Sequence, residues 1–339
     1  MTVYIGIVTY NSLADLPACA AGVRAQDWQD IHVTVLDNHS ADDSAGWVRE
    51  HWPEALCLIS GENLGYGRGH NRILESLSLQ PGDFYLTLNP DAELAPTYVL
   101  KLVEALRSGN RLGWGTGKLL LKSSASAAAR IYSAGHAMFR SGFAFNIGHN
   151  LPDSPLFCES REVFGAPGAA ALYSAALIRD LSADGHFFDP AIFLYAEDTD
   201  VDWRAQRRGW SCWFAADAIA YHRGSSPHGA LKIMAISNRY VSVLKNALLI
   251  DLLTFNLPYL LAHGIARVIV TPRAGAHFIA SVARRFFYAL RQREPLRDPA
   301  LVRRLREWYR WSARQPSAQR SGIQRLWDHI NRRDRQPPG

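Results

Sequence analysis

Short apolar runs ending on small polar clusters recur along the N-terminal part of the chain. The first, residues 3–10, is β-rich and apolar throughout, the pattern of a parallel strand covered on both faces. Asn11-Ser12 breaks the run, and apolar positions at Leu13, Leu16, Ala20 and Val23 predict a helix over 13–25. A second strand, 31–36, ends on Asp37-Asn38-His39-Ser40; a helix through Trp47 and Val48 and a short strand over 55–59 follow. Residues 63–71, with glycine at 65, 67 and 69, read as a glycine-rich loop leading into a helix over 72–79. The fourth strand, 83–88, ends on Asn89-Pro90-Asp91-Ala92-Glu93.

That alternation predicts an α/β fold with a doubly wound, mostly parallel sheet. Polar residues gather just after the strands' C-terminal ends, at 9–11, 37–38 and 89–91, the edge where open α/β sheets bind ligands. One such loop is ordinary turn chemistry; three on one edge make a candidate site. The stretch 123–161 is irregular and reads as an insertion carrying a β-ribbon. Order returns with the glycine-broken apolar segment 163–173, a helix over 175–181, and strands over 212–216 and 218–222. After that the pattern becomes long and helical, which divides the chain into an α/β domain over 1–235 and an arginine-rich helical region over 236–339.

The densest charge lies ahead of the last strand. Glu197, Asp198, Asp200 and Asp202 fall within six residues, behind an apolar run over 191–195 and before a Gly209-Trp210 stop. Carboxylates are favoured at helix N-termini, so Asp200 and Asp202 read as residues serving the helix start, with Asp198 facing a cleft.

At 48% hydrophobic and 20% charged residues, the composition is that of an ordinary globular protein. Cys19, Cys57, Cys158 and Cys212 are scattered without metal-like spacing, as small apolar residues in a reducing compartment are. The N-terminus enters a strand directly with no basic leader, so no secretory signal is expected. The net charge of +6 hides an asymmetry: residues 281–339 hold fifteen arginines and no lysine against five carboxylates, a balance of +10, and the remainder is −4. Such a tail suits nucleic acid, anionic lipid, an acidic protein partner or a solvated helical face. The apolar run 247–270 is interrupted by Asp251, Asn256, Pro258, His263 and Arg267, which speaks against a spanning helix. Two readings of these helices stay open: contact with an anionic lipid surface, or a bundle packed on the α/β domain or on a second subunit.

One ligand class accounts for the strand-end loops together. A nucleoside diphosphate needs a carboxylate for a base imide N–H, close backbone for ribose and phosphate, and a divalent cation for the diphosphate. Asp37 suits the base, and residues 65–71, with Asn71 near a helix start, suit ribose and phosphate. The glycine spacing matches neither the dinucleotide nor the P-loop fingerprint. Asp91, in a turn that Pro90 stiffens, is a hard oxygen ligand for Mg2+ or Mn2+, with Glu93 two residues on.

Taken in order, these residues resemble the GT-A, family-2 glycosyltransferases, especially the bacterial rhamnosyltransferase-like branch, over residues 3–245. The matching features begin with Val8-Thr9-Tyr10-Asn11, Val35-Leu36-Asp37-Asn38 with Ser40 and Asp43, and Glu62-Asn63-Leu64-Gly65-Tyr66-Gly67-Arg68-Gly69 with Asn71. They continue through Leu88-Asn89-Pro90-Asp91, Phe164-Gly165-Ala166, Phe188-Asp189 and Phe193-Leu194-Tyr195-Ala196-Glu197-Asp198-Thr199-Asp200. Tyr221-His222 and Asn238-Arg239 with Leu244-Lys245-Asn246 complete the set.

The resemblance implies a Rossmann-like, mixed, mostly parallel sheet flanked by helices, with a C-terminal helical extension. It implies inverting, metal-dependent transfer of a sugar, rhamnose among the candidates, from a dTDP- or UDP-linked donor. The acceptor would be a hydroxyl of a cell-surface glycan or a lipid-linked molecule. Thr9, Tyr10, Asn11, Asp37, Asn63, Gly65, Arg68, Asn71, Asn89 and Pro90 correspond to the nucleotide-sugar residues. Asp91, His222 and Glu93 correspond to the metal set, His222 supplying an imidazole that Mn2+ accepts more readily than Mg2+. Asp198 corresponds to the general base and Glu197 to its orienting neighbour. The form Asn-Pro-Asp-x-Glu departs from a literal Asp-x-Asp, which leaves the part of Glu93 open. A cytoplasmic place, peripheral on the inner face of the membrane, is expected, a homo-oligomer is the alternative that the C-terminal helices leave open, and a nucleic-acid partner is not expected. The competing reading is a catalytically idle, nucleotide-sugar-binding scaffold subunit of a glycan-assembly complex. A nucleotidyltransferase would want a glycine- and arginine-rich loop after the first strand, where Tyr10-Asn11-Ser12-Leu13-Ala14-Asp15 stands instead.

Overall fold

A computed structural model describes residues 1–109, 111–122, 129–182, 185–224 and 229–315. The first part alternates as the pattern predicts: β1 (Val3–Thr9), α1 (Leu16–Arg24), β2 (Ile31–Asp37), α2 (Ser44–His51), β3 (Leu56–Ile59), α3 (Gly65–Glu75) and β4 (Phe84–Leu88). β5 (Ala92–Leu94), α4 (Tyr98–Arg107) and β6 (Leu112–Leu121) follow, then β7 (Ile131–Ser133), β8 (His136–Met138), β9 (Ala144–Asn146) and β10 (Arg161–Val163). β11 (Ala170–Ser174), α5 (Ala175–Leu181), α6 (Glu197–Arg207) and β12 (Ser211–His222) complete the α/β part. The remainder is helical: α7 (Gly229–Asn246), α8 (Leu249–Asp251), a π-helical turn over Leu252–Asn256, α9 (Leu257–Val270), α10 (Pro272–Arg291) and α11 (Pro299–Ser312).

The main sheet runs β10-β12-β6-β11-β4-β1-β2-β3. β1, β2, β3 and β4 are mutually parallel, β6 is parallel to β12, and β11 lies antiparallel between β4 and β6. Because side chains alternate across a strand, β4 serves two cores: Leu86 and Leu88 join Ile5 and Ile7 on one face, and Tyr85 joins Trp114 and Tyr173 on the other. Register brings the site together. Thr9 lies opposite Asp37, so the first two loops leave the sheet side by side. β5 pairs with β12, Ala92 against His222, which carries Asp91 to the end of the last strand.

Two local expectations are corrected. The glycine-rich stretch is not a loop: it forms the first turns of α3, and the helix predicted from 72 starts at Gly65. A Cβ on Gly69 would stand 2.9 Å from Val8, and one on Gly67 3.1 Å from Phe188, so these glycines let α3 lie tight on β1 and on the segment before α6. Gly65 alone needs glycine for its backbone, with φ +76 and a Cβ position 2.1 Å from the Phe193 carbonyl oxygen. The two strands expected over 212–222 are one, β12, whose register shifts between Ala215 and Ile219. The apolar run before α6 is a bend, closing on Tyr195 and Ala196 at φ 67° and 72°. The expected β-ribbon is the antiparallel pair β8–β9; residues 123–128 of that insertion, and the arginine tail from 316 on, lie outside the described residues.

The C-terminal helices share a third core with the α/β part, where Tyr240, Phe278 and Trp308 join Phe164 of the β10–β11 connection and Trp203 of α6. That packing leaves one face bare. Leu249, Ile250, Leu253, Leu261, Ile265 and Ile269 recur at helical spacing and are all more than half exposed, with Phe287 of α10 71% exposed. Arg273, Arg284 and Arg291 of α10 are also exposed. The segment Leu249–Val270 has the length and composition of a membrane-crossing helix, with a mean hydropathy of 1.3 over its most apolar window and 33% of that window buried.

Candidate active site

On the β1–β2 side, two buried polar atoms stand without a hydrogen-bond partner among the described residues: Thr9 Oγ1 and Asp37 Oδ1. Uncompensated polar atoms are costly inside a protein, and here both sit at the ligand edge. Asp37 Oδ2 accepts from Ser40 N at 3.2 Å, which fixes the carboxylate and leaves its other oxygen turned inward. Tyr10 is half-exposed beside them. Asn11, at φ 51°, ties the first loop to the second by accepting from Ala41 N.

Asn63 and Asn38 form a hinge for α3. Asn38 Nδ2 donates to Asn63 Oδ1 at 3.0 Å and to the Gly65 carbonyl, and Asn63 Oδ1 also accepts from Gly65 N. Arg68 pairs with Glu62 at 3.1 Å on the surface. Asn71 is engaged at both ends of its amide: Nδ2 donates to the Phe188 carbonyl and Oδ1 accepts from Phe188 N. The structure thus places Asn71 as a strut for the acidic segment. Beside it, burial pushes His70 down to about 3, so that it stays a neutral ring bonded to Tyr85.

The β4–β5 turn, Asn89-Pro90-Asp91, meets the end of β12. Asp91 Oδ1 lies 3.0 Å from His222 Nε2, and Asn89 Nδ2 lies 3.1 Å from the same nitrogen. Burial raises Asp91, but the His222 hydrogen bond and the charges of His222 and Arg223 outweigh it and hold the carboxyl below its ordinary range. His222 Nδ1 accepts from Gly224 N, so in this tautomer Nε2 carries the proton that Asp91 receives. Glu93 turns away to Lys122 at 3.2 Å. Among the described residues no three His, Cys, Asp or Glu side chains converge as a metal set.

The four acids of α6 divide in a way the sequence reading did not foresee. Neither Asp200 nor Asp202 caps the helix; Ala196 occupies that position with no side-chain cap. Asp200 is fully buried and holds Arg204 Nε at 2.9 Å, Lys245 Nζ at 3.0 Å and Asn246 Nδ2 at 2.8 Å. Asp202, also fully buried, accepts from Trp114 Nε1, Ala166 N and His136 Nδ1. Burial first, then the charge of Asp198, push Glu197 well above the ordinary carboxylate range. Its Oε2 has no partner among the described residues. Asp198 remains at the surface of the cleft with its side chain 21% exposed. Its carboxylate is oriented by Gly168 N at 3.1 Å on one oxygen and Thr199 N at 2.7 Å on the other.

Tyr132 links the two halves. Its ring lies 4.4 Å from that of His222, and its hydroxyl is raised by burial and then by the charges of Asp198 and Asp91 together. Asp91 and Asp198 thus both act on the Tyr132 hydroxyl.

Residues 4–116 match the family model described as glycosyl transferase family 2. The chain is 26% identical over 236 residues to the N-acetylglucosaminyl-diphospho-decaprenol L-rhamnosyltransferase of Mycobacterium tuberculosis, covering 65% of this chain and 75% of that protein. Over its N-terminal third the chain is similar to family-2 glycosyltransferases. It is also 25% identical over 179 residues to an undecaprenyl-phosphate 4-deoxy-4-formamido-L-arabinose transferase of Aeromonas hydrophila, 53% of whose length it spans. Its fold is GT-A: it superposes on the structure of GalNAc-T7 with UDP, GalNAc and Mn2+ at a TM-score of 0.56 and 13% identity, over 71% of this chain and 48% of that one. His136, Gly168, Tyr132 and Arg285 were not singled out from sequence. Tyr132 and His136 lie in the three-residue strands β7 and β8, Gly168 in the β10–β11 connection and Arg285 on the distant α10, where no period marks them.

Proposed function

We propose that the chain is an inverting, metal-dependent glycosyltransferase that moves a 6-deoxyhexose of the rhamnose type from a dTDP- or UDP-linked donor to a lipid-linked acceptor hydroxyl. The observation that carries this is the Asp91–His222 pair at 3.0 Å, with the Tyr132 ring 4.4 Å from His222 and its hydroxyl raised by the charges of both Asp198 and Asp91. The named rhamnosyltransferase relative supports the sugar and the acceptor class. Asp37 Oδ1 and Thr9 Oγ1 suit the donor's base, which offers an imide N–H.

The residues present fit a divalent cation through few protein ligands, as Mg2+ and Mn2+ sites beside phosphates do. Asp91 would hold it, and His222 would join by giving up the Gly224 N–H bond so that Nε2 is free. The cation would supply charge neutralisation for the departing diphosphate. Asp198 takes the proton of the acceptor hydroxyl as that oxygen forms its bond to the anomeric carbon. The bond to the diphosphate breaks on the opposite face, the electron pair leaving with the nucleoside diphosphate. Glu197, whose carboxyl burial and the Asp198 charge raise, is the neighbouring acid on α6.

Binding of dTDP-L-rhamnose, measured by calorimetry with and without Mn2+, tests the donor site. Asp91→Ala should weaken metal-dependent binding by at least about tenfold, the loss of one charge-assisted contact; unchanged affinity and metal response would reject it. We further propose a peripheral place on the cytoplasmic membrane face, supported by the bare stripe on α8–α9 and the arginines of α10. Vesicles containing phosphatidylglycerol should bind the protein in a salt-sensitive way. Ile265→Glu with Ile269→Glu should lower that binding by more than about tenfold, since burying one such side chain contributes ~1.5–3 kcal/mol. Equal binding by both forms would count against the surface.

A further inference from the structure

We propose that His136 is a positioning residue for transfer, an imidazole strung between the cleft carboxylate Asp198 and the buried carboxylate Asp202. The proposal rests on Asp198 being the base. His136 is the first residue of β8 and is buried. Its backbone is held on both sides by the β10–β11 connection, N donating to the Gly165 carbonyl at 2.7 Å and the carbonyl accepting from Phe164 N. Nδ1 lies 2.8 Å from Asp202 Oδ2, and Nε2 lies 3.9 Å from Asp198 Oδ2. The first distance is a hydrogen bond, the second a charge contact.

The rest of the pocket is arranged for that line. A Cβ at Gly165 would stand 1.9 Å from Asp202 Oδ2, so only glycine leaves the carboxylate room. Trp114 Nε1 and Ala166 N bond the other Asp202 oxygen and fix its direction. A buried imidazolium is costly unless paired, and Asp202 provides the pairing on the side away from the cleft. With Nδ1 committed there, the ring's remaining N–H in its charged form is turned toward Asp198.

The charged groups around the ring agree. Burial works against the charged imidazole, but the Asp202 hydrogen bond and the charges of Asp198 and Asp202 outweigh it and raise the group, with Arg239 of α7 opposing. Burial pushes Asp202 itself up to about 6, against the lowering effect of His136. Tyr173 and Cys212, behind Asp202, are held uncharged by burial, and burial raises the Glu197 carboxyl. The contact at Nε2 sets the side from which the Asp198 carboxylate is held.

Two measurements on the full chain test this. The first is the pH profile of rhamnosyl transfer from dTDP-L-rhamnose to a prenyl-diphospho-N-acetylglucosamine. In His136→Gln the acid limb should move up by about one unit, so that the rate on the acid side falls about tenfold and recovers at alkaline pH. The KM for the donor should stay within about twofold, because no donor contact is lost. A uniform loss at every pH with the limb in place would overturn the proposal. The second is the ring-nitrogen NMR titration of His136. Its midpoint should lie above 6.5 and fall in both Asp202→Asn and Asp198→Asn, the latter a cleft-surface change that leaves the core intact. A midpoint indifferent to Asp198→Asn would equally overturn it. Absence of any transfer would reject the proposed reaction, and the titration would still decide whether His136 and Asp198 interact.

Discussion

Asp198→Asn should leave donor binding intact and lower the transfer rate by roughly 10²–10⁴-fold, the usual contribution of a positioned general base. The asparagine is nearly isosteric and can still accept the Gly168 N–H, so the cleft wall keeps its shape. What disappears is the α6 carboxylate that remains at the cleft surface, because Asp200 and Asp202 are sealed inside and Glu197 is buried with its carboxyl raised. Glu197→Gln, by contrast, leaves that surface carboxylate in place and should cost much less. Comparable losses from the two substitutions, or full transfer by Asp198→Asn, would show that the proton goes elsewhere. Single-turnover rates with calorimetric donor binding separate the two effects.

Lys245→Met should be the most damaging single change to stability, by about 3–5 kcal/mol, because it strands buried carboxylates. Lys245 Nζ is bonded to both Asp189 and Asp200, and Tyr288 donates to Asp189 at 2.7 Å from α10. Burial raises Asp200, but Lys245 and Arg204 outweigh it and hold the carboxyl below its ordinary range. Its folded pKa is thus depressed. The stability it contributes is present above the unfolded carboxylate pKa of about 4 and is lost as pH falls below that. In Lys245→Met the lowering is weakened, so acid unfolding should begin at higher pH. Urea unfolding at pH 7 and thermal melts from pH 3 to 7 check both parts. An unchanged midpoint at pH 7 would mean that the network carries little net stability.

The strand alternation was legible because buried parallel strands leave uninterrupted apolar runs, and β1, β2 and β4 fall within a residue or so of where those runs lie. The polar strand ends were legible for the same reason: Thr9, Asp37 and Asp91 follow directly from where each run stops. Residues 65–71 were misread because glycine is an ordinary sign of a loop, whereas here it records how closely α3 approaches Val8 and Phe188. Asp200 and Asp202 were misread because a sequence shows the helix start but not the partners. Lys245 and His136 are brought in from elements far along the chain. Asn71 looked like a ligand residue and is placed as a strut, since nothing local reveals that Phe188 lies against it.

The segment that delivers Asp198 is held from outside the sheet. Asn238 of α7 donates to the Leu194 and Tyr195 carbonyls, and Arg285 of α10 donates to the Ala191 carbonyl while bonding the Asn238 side chain. Tyr195 and Ala196 follow in a left-handed conformation that costs non-glycine residues on the order of 1 kcal/mol each. The boundary drawn near residue 235 on sequence is therefore not a line along which the molecule can be cut. A shorter chain ending there would keep every acid of α6 and lose the hydrogen bonds from α7 and α10 that hold the bend before it.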